Sequence, residues 1–281
     1  MEHSIHSSYT LETDVDVVRV VQLTDTHLCR MPGGTLLGMD TDHSLQAVIN
    51  LVKHERADAD ILLATGDLSD GGAREAYERL QGYFAQLSCV DFWLPGNHDD
   101  RGAMESVSAT SGRNYLTREI YAGKWQILML NSQVAGEVDG ELGQAEIAFL
   151  AQALEQATKL GLYSLVCLHH HPVPIGCQWL DEQMVADADA LFAMLSGYPG
   201  ARAVLWGHVH QEIDRQYQGL RLLASPSTCV QFAPGSVGFK ADDQPPGYRW
   251  LDLHGDGTLE TGVSRVRDVA FTVELDSGGY L

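Results

Sequence analysis

Along the chain, short apolar runs rich in β-branched residues alternate with stretches whose apolar residues recur at helical spacing. The runs predict strands at Val15–Leu23, Asp60–Thr65, Val90–Leu94, Trp125–Leu130, Tyr163–Leu168 and Ala201–Trp206. Between them, helices are predicted at His43–Glu55, with Leu45, Val48, Ile49 and Val52 on one face, and at Ala73–Leu87, Gly143–Leu160 and Asp187–Leu195. Such alternation argues for an α/β fold. The last third reads differently. Strands are predicted at Glu212–Gln218, Leu220–Ala224, Tyr248–Leu253 and Thr258–Val266, separated by Gln218-Gly219 and Gly255-Asp256-Gly257 turn signals. Residues 212–281 are therefore expected to be an antiparallel part of the same domain, with residues 236–247 an irregular loop. Neither an internal repeat nor a low-complexity linker interrupts the chain, so residues 1–281 are expected to form one domain, preceded by a loose polar tail over 1–14.

Composition narrows the possibilities. The chain has 281 residues, 44% apolar and 20% charged, which is globular rather than disordered. Its formal charge of −20 disfavours nucleic-acid phosphates and anionic lipid surfaces as partners. No apolar run approaches the roughly 20 residues of a membrane span, and the N-terminal stretch does not read as a secretory signal. Five scattered cysteines (Cys29, Cys89, Cys167, Cys177 and Cys229) form no disulfide framework and no CxxC pair. These features predict a cytoplasmic protein with reduced thiols.

The candidate chemistry sits at the strand ends. The first strand runs into Thr24-Asp25-Thr26-His27, the second into Gly66-Asp67, and the third into Pro95-Gly96-Asn97-His98-Asp99. The strand ending at Leu168 runs into His169-His170-His171, and the one ending at Trp206 into Gly207-His208-Val209-His210. Asp25 and His27, at i and i+2, would project to the same side of an extended chain, and His208 and His210 likewise. Each motif alone is an ordinary loop. Taken together, five of these strand ends carry, in order, DxH, GD, GNHD, H and GHxH. The carboxyl ends of strands in an α/β sheet share one rim, where these residues could converge.

This series of motifs resembles the signature of the calcineurin-like metallophosphoesterases. Longer blocks are similar to the bacterial class III cyclic nucleotide phosphodiesterases that act on 3′,5′-cyclic AMP. These are Leu23-Thr-Asp-Thr-His-Leu28, Trp93-Leu-Pro-Gly-Asn-His-Asp99, Leu168-His-His-His-Pro172, Gly176-Cys-Gln-Trp-Leu-Asp181, Gly207-His-Val-His-Gln-Glu212, Leu223–Phe232 and Gly247–Leu259. The likeness runs from near Val15 to near Val266.

The resemblance implies a four-layer αββα sandwich with two mixed β-sheets. It also implies two divalent ions, iron and/or manganese. Asp25, His27 and His210 would hold one ion and Asn97, His169 and His208 the other, with Asp67 bridging both. His27, Asp67, Asn97, His98, His169 and His210 would line the substrate. His170 and His171 would support rather than ligate, Cys29 would be a loop thiol, and Asn131, where relatives often have aspartate, would also stand behind the ligands. Two ions less Asp25, Asp67 and a shared hydroxide leave one positive charge for a singly charged phosphodiester. In this reading hydroxide attacks phosphorus, His98 protonates the leaving 3′ oxygen as general acid, and 5′-AMP departs. The alternatives on this core are another phosphodiesterase such as a glycerophosphodiesterase, a protein phosphatase, a nuclease, or a non-catalytic scaffold. The acidic charge and the lack of a basic stripe count against the nuclease. A scaffold would have no reason to keep the full set.

Overall fold

The computed structural model describes residues 8–13 and 15–279. In chain order it begins with strands β1 (Ser8–Leu11), β2 (Val17–Leu23), β3 (Thr35–Leu36) and β4 (Met39–Asp40), then helix α1 (Thr41–Glu55) and β5 (Ile61–Thr65). Next come α2 (Arg74–Phe84), β6 (Val90–Leu94), α3 (Arg101–Ser111), β7 (Glu119–Ala122), β8 (Trp125–Met129), α4 (Gly143–Leu160) and β9 (Tyr163–Cys167). The chain continues through α5 (Gln178–Asp181), α6 (Ala188–Ser196), β10 (Ala201–Trp206), β11 (Ile213–Tyr217) and β12 (Leu220–Ala224). It closes with β13 (Gln231–Phe232), β14 (Ala241–Asp242), β15 (Gly247–His254) and β16 (Leu259–Arg265).

Two mixed sheets form the centre. One has five strands in the order β16-β15-β2-β5-β6, and the other has seven in the order β1-β7-β8-β9-β10-β12-β11. Strand alternation explains how they stack. Val18 and Val20 of β2, Ile61 and Leu63 of β5, and Phe92 and Leu94 of β6 meet Leu165 and Cys167 of β9 and Ala203 and Leu205 of β10 in one buried layer between the sheets. The opposite faces carry Val21, Leu23, Leu62, Ala64 and Trp93 against α1, α2 and α3. On the other sheet, Leu128, Val166 and Val204 pack against α4 and α6. This is the expected αββα sandwich, with apolar layers on both faces of each sheet. No helix among the described residues is long and apolar enough to cross a membrane.

Three expectations need correction. Ser8–Leu11 are not loose: they form a parallel edge strand on β7. Polar SYTL has no apolar pattern to announce a strand, and it is recruited by the free edge of β7. Residues 1–7 and 14 of the expected tail lie outside the described residues. Secondly, 212–281 is not one antiparallel unit. β11 and β12 form a hairpin whose β12 pairs in parallel with β10, whereas β15 and β16 form a hairpin whose β15 pairs antiparallel with β2. The third concerns α3, which the apolar pattern missed. Its buried residues are only Met104, Val107 and Ser108, and it starts because the Asp100 side chain accepts from Ala103 N at 2.8 Å, an N-cap worth about 1 kcal/mol.

Candidate metal centre

The five strand ends do converge, but on a rim shared by two sheets rather than one. β2, β5 and β6 bring Asp25, His27, Asp67, Asn97 and His98 from the five-stranded sheet, and β9 and β10 bring His169, His208 and His210 from the seven-stranded one. The i and i+2 argument fails in its premise. Asp25, His27, Asp67, His208 and His210 all lie just past their strands at positive φ, between 44° and 64°. These five make up most of the described non-glycine residues with positive φ, which number seven. Left-handed backbone costs an L-residue roughly 1 kcal/mol or more. It turns each side chain back over the sheet edges, which an extended strand would not.

Hydrogen bonds hold these turns. Asp25 N donates to Gly66 O and His27 N to Asp67 O, both at 2.9 Å, so the DxH loop is laced to the GD loop. Gly66 itself has φ +100°, and a β-carbon there would strike the His169 ring. A β-carbon on Gly207 would strike Thr24 Oγ1 and the Asp25 carboxylate, so only glycine admits this approach.

The donor atoms fall into overlapping clusters. One consists of Asp25, His27 and His210, one of His169, His170 and His208, and Asp67 belongs to groups with His27 and His98 and with Asp25 and His169. His27 Nε2 and His210 Nε2 are 3.3 Å apart, and His210 Nε2 is 3.3 Å from Asp25 Oδ1. Ligand atoms sharing an ion at bonds of about 2.1 Å lie roughly 3.0–3.4 Å apart. Asp67 Oδ2 is 3.2 Å from His169 Nε2 and 3.8 Å from His27 Nε2, so one carboxylate faces both clusters. Asn97 Oδ1 and His208 Nε2 are buried and form no hydrogen bond.

Tautomers agree with this arrangement. A carbonyl oxygen only accepts, so His169 Nδ1 donates to Thr65 O at 2.8 Å and His210 Nδ1 to Val230 O at 2.7 Å. Each ring thus turns its Nε2 toward the centre, where an ion would take the place of any proton it carries, the usual outer support of a metal-bound histidine. The donors are nitrogen and oxygen only, without thiolate. Cys29 lies outside the clusters, its Sγ 3.9 Å from Thr35 O, and Asn131 Oδ1 accepts from Gln133 N at 3.0 Å.

The family profile of the calcineurin-like phosphoesterases matches residues 18–212, which span every residue of these clusters. This chain is a calcineurin-like phosphoesterase. It is 48% identical to a Pseudomonas aeruginosa protein named 3′,5′-cyclic adenosine monophosphate phosphodiesterase CpdA, over 99% of this chain and all of that one. It is 41% identical to the protein of the same name from Escherichia coli K12, over 94% and 95% of the two chains. A dimetal phosphatase structure from Danio rerio shares the fold at TM-score 0.59 and 14% identity, covering 89% of this chain and 99% of that one.

Within this phosphoesterase several residues that the motif reading left unassigned hold the centre in place. The Asp99 carboxylate accepts from Leu68 N, Ser69 N and Gly96 N and from the Tyr77 hydroxyl at 2.8–3.1 Å, tying the GD loop to the GNHD loop. Gln133 Nε2 donates to Gly96 O and Asp99 O at 2.8 and 2.6 Å from the opposite sheet. Ser227 Oγ donates to Asp25 O at 2.7 Å and Thr228 N to Thr24 O at 3.1 Å, giving the Leu223–Phe232 block a role as buttress of the DxH turn. Asp70 stands between two site histidines, its Oδ1 3.4 Å from His27 Nδ1 and 3.9 Å from His98 Nδ1, while its carbonyl accepts from His98 Nδ1 at 3.2 Å. A single aspartate three residues past Gly-Asp carries no spacing signal, which is why it escaped notice.

The electrostatics are those of a crowded, dry site. Burial alone would raise the Asp67 carboxyl, but His169, His98 and His27 outweigh it and hold the group well below the usual carboxylate range. Burial opposes protonation of His169, yet Asp67 and Asp25 push it up to about 9. His208 and His170 are driven down by burial and by their neighbouring histidines. His170 is closer to the centre than its supporting role required: its ring sits 4.9 Å from that of His169 and 4.8 Å from that of His208, and its Nδ1 is 2.8 Å from Ser132 Oγ. His98 is more exposed than the residues behind it, with its side chain 12% accessible, and His98 N donates to Asp67 Oδ1 at 2.9 Å.

Proposed function

We propose that this chain hydrolyses 3′,5′-cyclic AMP to 5′-AMP at a centre of two divalent ions. The observation that carries the chemistry is the meeting of two His/Asp clusters across one shared carboxylate, with buried atoms on Asn97 and His208 left without hydrogen bonds. The substrate follows from end-to-end similarity to the proteins named as cyclic AMP phosphodiesterases.

Asp25, His27 and His210 would hold one ion, Asn97, His169 and His208 the other, and Asp67 both. When bound, such ions supply a strong nucleophile from water near neutral pH and positive charge for the phosphoryl oxygens. The mixed nitrogen and oxygen set suits iron or manganese. His98, on the solvent side of Asp67, meets the leaving 3′ oxygen. Its Nδ1 is committed to Asp70 O, so Nε2 is the nitrogen that delivers the proton. Asp70 orients His98 and His27 together. The partner is a small cyclic nucleotide rather than nucleic acid. We place the enzyme, a single catalytic domain, in the cytoplasm, where its free cysteines stay reduced.

The test is turnover of cyclic AMP by metal-replete protein, with products separated by chromatography. 5′-AMP should accumulate with little adenosine. Adenosine forming as fast as 5′-AMP would point instead to a general phosphatase.

A further inference from the structure

One inward-facing position in the layer between the sheets breaks the apolar pattern. Val18 and Val20 of β2 face the opposite sheet, and the next residue in that register is Gln22, fully buried. A leucine there would continue the core and avoid the cost of burying a carboxamide. The glutamine instead uses both ends of its side chain. Gln22 Nε2 donates to Thr65 Oγ1 at 2.7 Å and to Trp206 O at 3.1 Å. Gln22 Oε1 accepts from Ser225 Oγ, and Arg249 Nε, in a buried side chain on β15, donates to the same Ser225 Oγ at 3.3 Å.

The partners share a position in the fold. Gln22 precedes the Asp25 turn by three residues, Thr65 precedes Asp67 by two, and Trp206 precedes His208 by two. Ser225 lies in the block whose Ser227 holds Asp25 O. Thr65 also supplies the carbonyl that fixes the His169 ring. One planar amide therefore joins the ends of β2, β5 and β10 and the residue after β12 immediately below the loops that carry both halves of the centre. β2 and β5 belong to one sheet, β10 and β12 to the other. The layer beneath is apolar and non-directional and does not define how far one sheet edge stands from the other. Hydrogen bonds are directional, and a fully satisfied buried network selects one arrangement.

We infer that Gln22 is a positioning residue that sets the spacing of the donor atoms in both ion sites, each of which draws on both sheets, by locking the two sheet edges together. This rests on the two-ion reading above. Its role is distinct from that of the residues that face an ion, because it acts through Thr65, Trp206 and Ser225.

The experiment uses the full chain, stripped by chelator and titrated with Mn²⁺ alone, followed by electron paramagnetic resonance and by equilibrium binding. Wild type should take up two ions as a spin-coupled pair. Gln22→Leu should bind both ions about 10–100-fold more weakly, as loss of outer support costs elsewhere, and show weakened spin coupling between the Mn²⁺ ions. Thr65→Val, which keeps shape and removes one of the three bonds, should move both readouts the same way by less, and it carries the test should Gln22→Leu fail to fold by circular dichroism. Folded variants with wild-type affinities and a coupled spectrum would overturn the inference, even with a lowered melting temperature, since that is what a plain core bond would do. A wild type that takes up fewer than two ions would overturn the two-ion reading and this inference with it.

Discussion

Around Asp25 and His210 the protein supplies its own partners, and around Asn97, His169 and His208 it leaves polar atoms waiting. The Asp25 carboxylate accepts from His208 N at 3.0 and 3.2 Å, His210 is tied to Val230 O, and Phe232 stacks on the His210 ring at 4.1 Å and 6°. In the second group, Asn97 Oδ1 and His208 Nε2 are buried without hydrogen bonds, while His169 Nε2 faces Asp67 Oδ2 at 3.2 Å. Each such atom costs about 1–3 kcal/mol while it stays unpaired. The first half is thus stable as built, whereas the second stores a penalty that a ligand at its centre relieves. Occupancy of the second half should matter most to stability, through the mass-action gain that any ligand of the folded state brings.

The prediction with the largest effect tests the carboxylate that the halves share. Asp67→Ala should lower the content of both ions and reduce cyclic AMP turnover by more than the roughly 10²–10³-fold that loss of a single electrostatic contact costs. Metal analysis and rate measurement on the same sample check it, and chelation of wild type should abolish turnover as well. Wild-type metal content in Asp67→Ala would mean that the halves do not share it.

Next in size is His98, which stands outside both halves. With both ions retained, His98→Ala should slow cyclic AMP hydrolysis by about 10²–10⁴-fold. A nitrophenyl phosphodiester should be slowed much less, because a nitrophenolate departs without a proton. Equal losses on the two substrates would assign His98 to positioning instead.

The smallest effect divides the halves directly and needs no turnover. In metal-free protein, Asp25→Ala strips His208 N of its acceptor and should cost about 1–3 kcal/mol. Asn97→Leu removes a buried oxygen that has no partner and should leave the metal-free melting temperature unchanged or raise it. At this chain length each kcal/mol is worth about 2–4 °C, within reach of calorimetry. A similar fall for both variants would erase the distinction between the halves.

Strands and long helices were legible because burial on both faces of a sheet writes continuous apolar runs, as in Ile61–Thr65 and Ala201–Trp206. The series of strand ends was legible because each motif followed such a run. What the sequence withheld was geometry that depends on distant pairing. Nothing in Asp25-Thr26-His27 reveals a left-handed backbone, since its cause is the Gly66 and Asp67 carbonyls some forty residues on. Asp99, Asp70 and Gln133 act by bonding to loops from other strands, and a lone polar residue has no period to betray it. β1 stayed hidden for a related reason, because its partner β7 lies more than a hundred residues away.

The two C-terminal hairpins decide how much of this chain can be cut away. Every clustered donor lies before residue 212. Yet β2 and β10, which launch four of them, are interior strands only because β15 lies along one and β12 along the other. A chain stopped at residue 212 would own a complete inventory of chemistry on two raw sheet edges. Exposed edges of this kind seek other strands to pair with, and self-association is the usual result. The catalytic parts and the folding unit have different boundaries here, and any minimal enzyme drawn from this sequence has to respect the second.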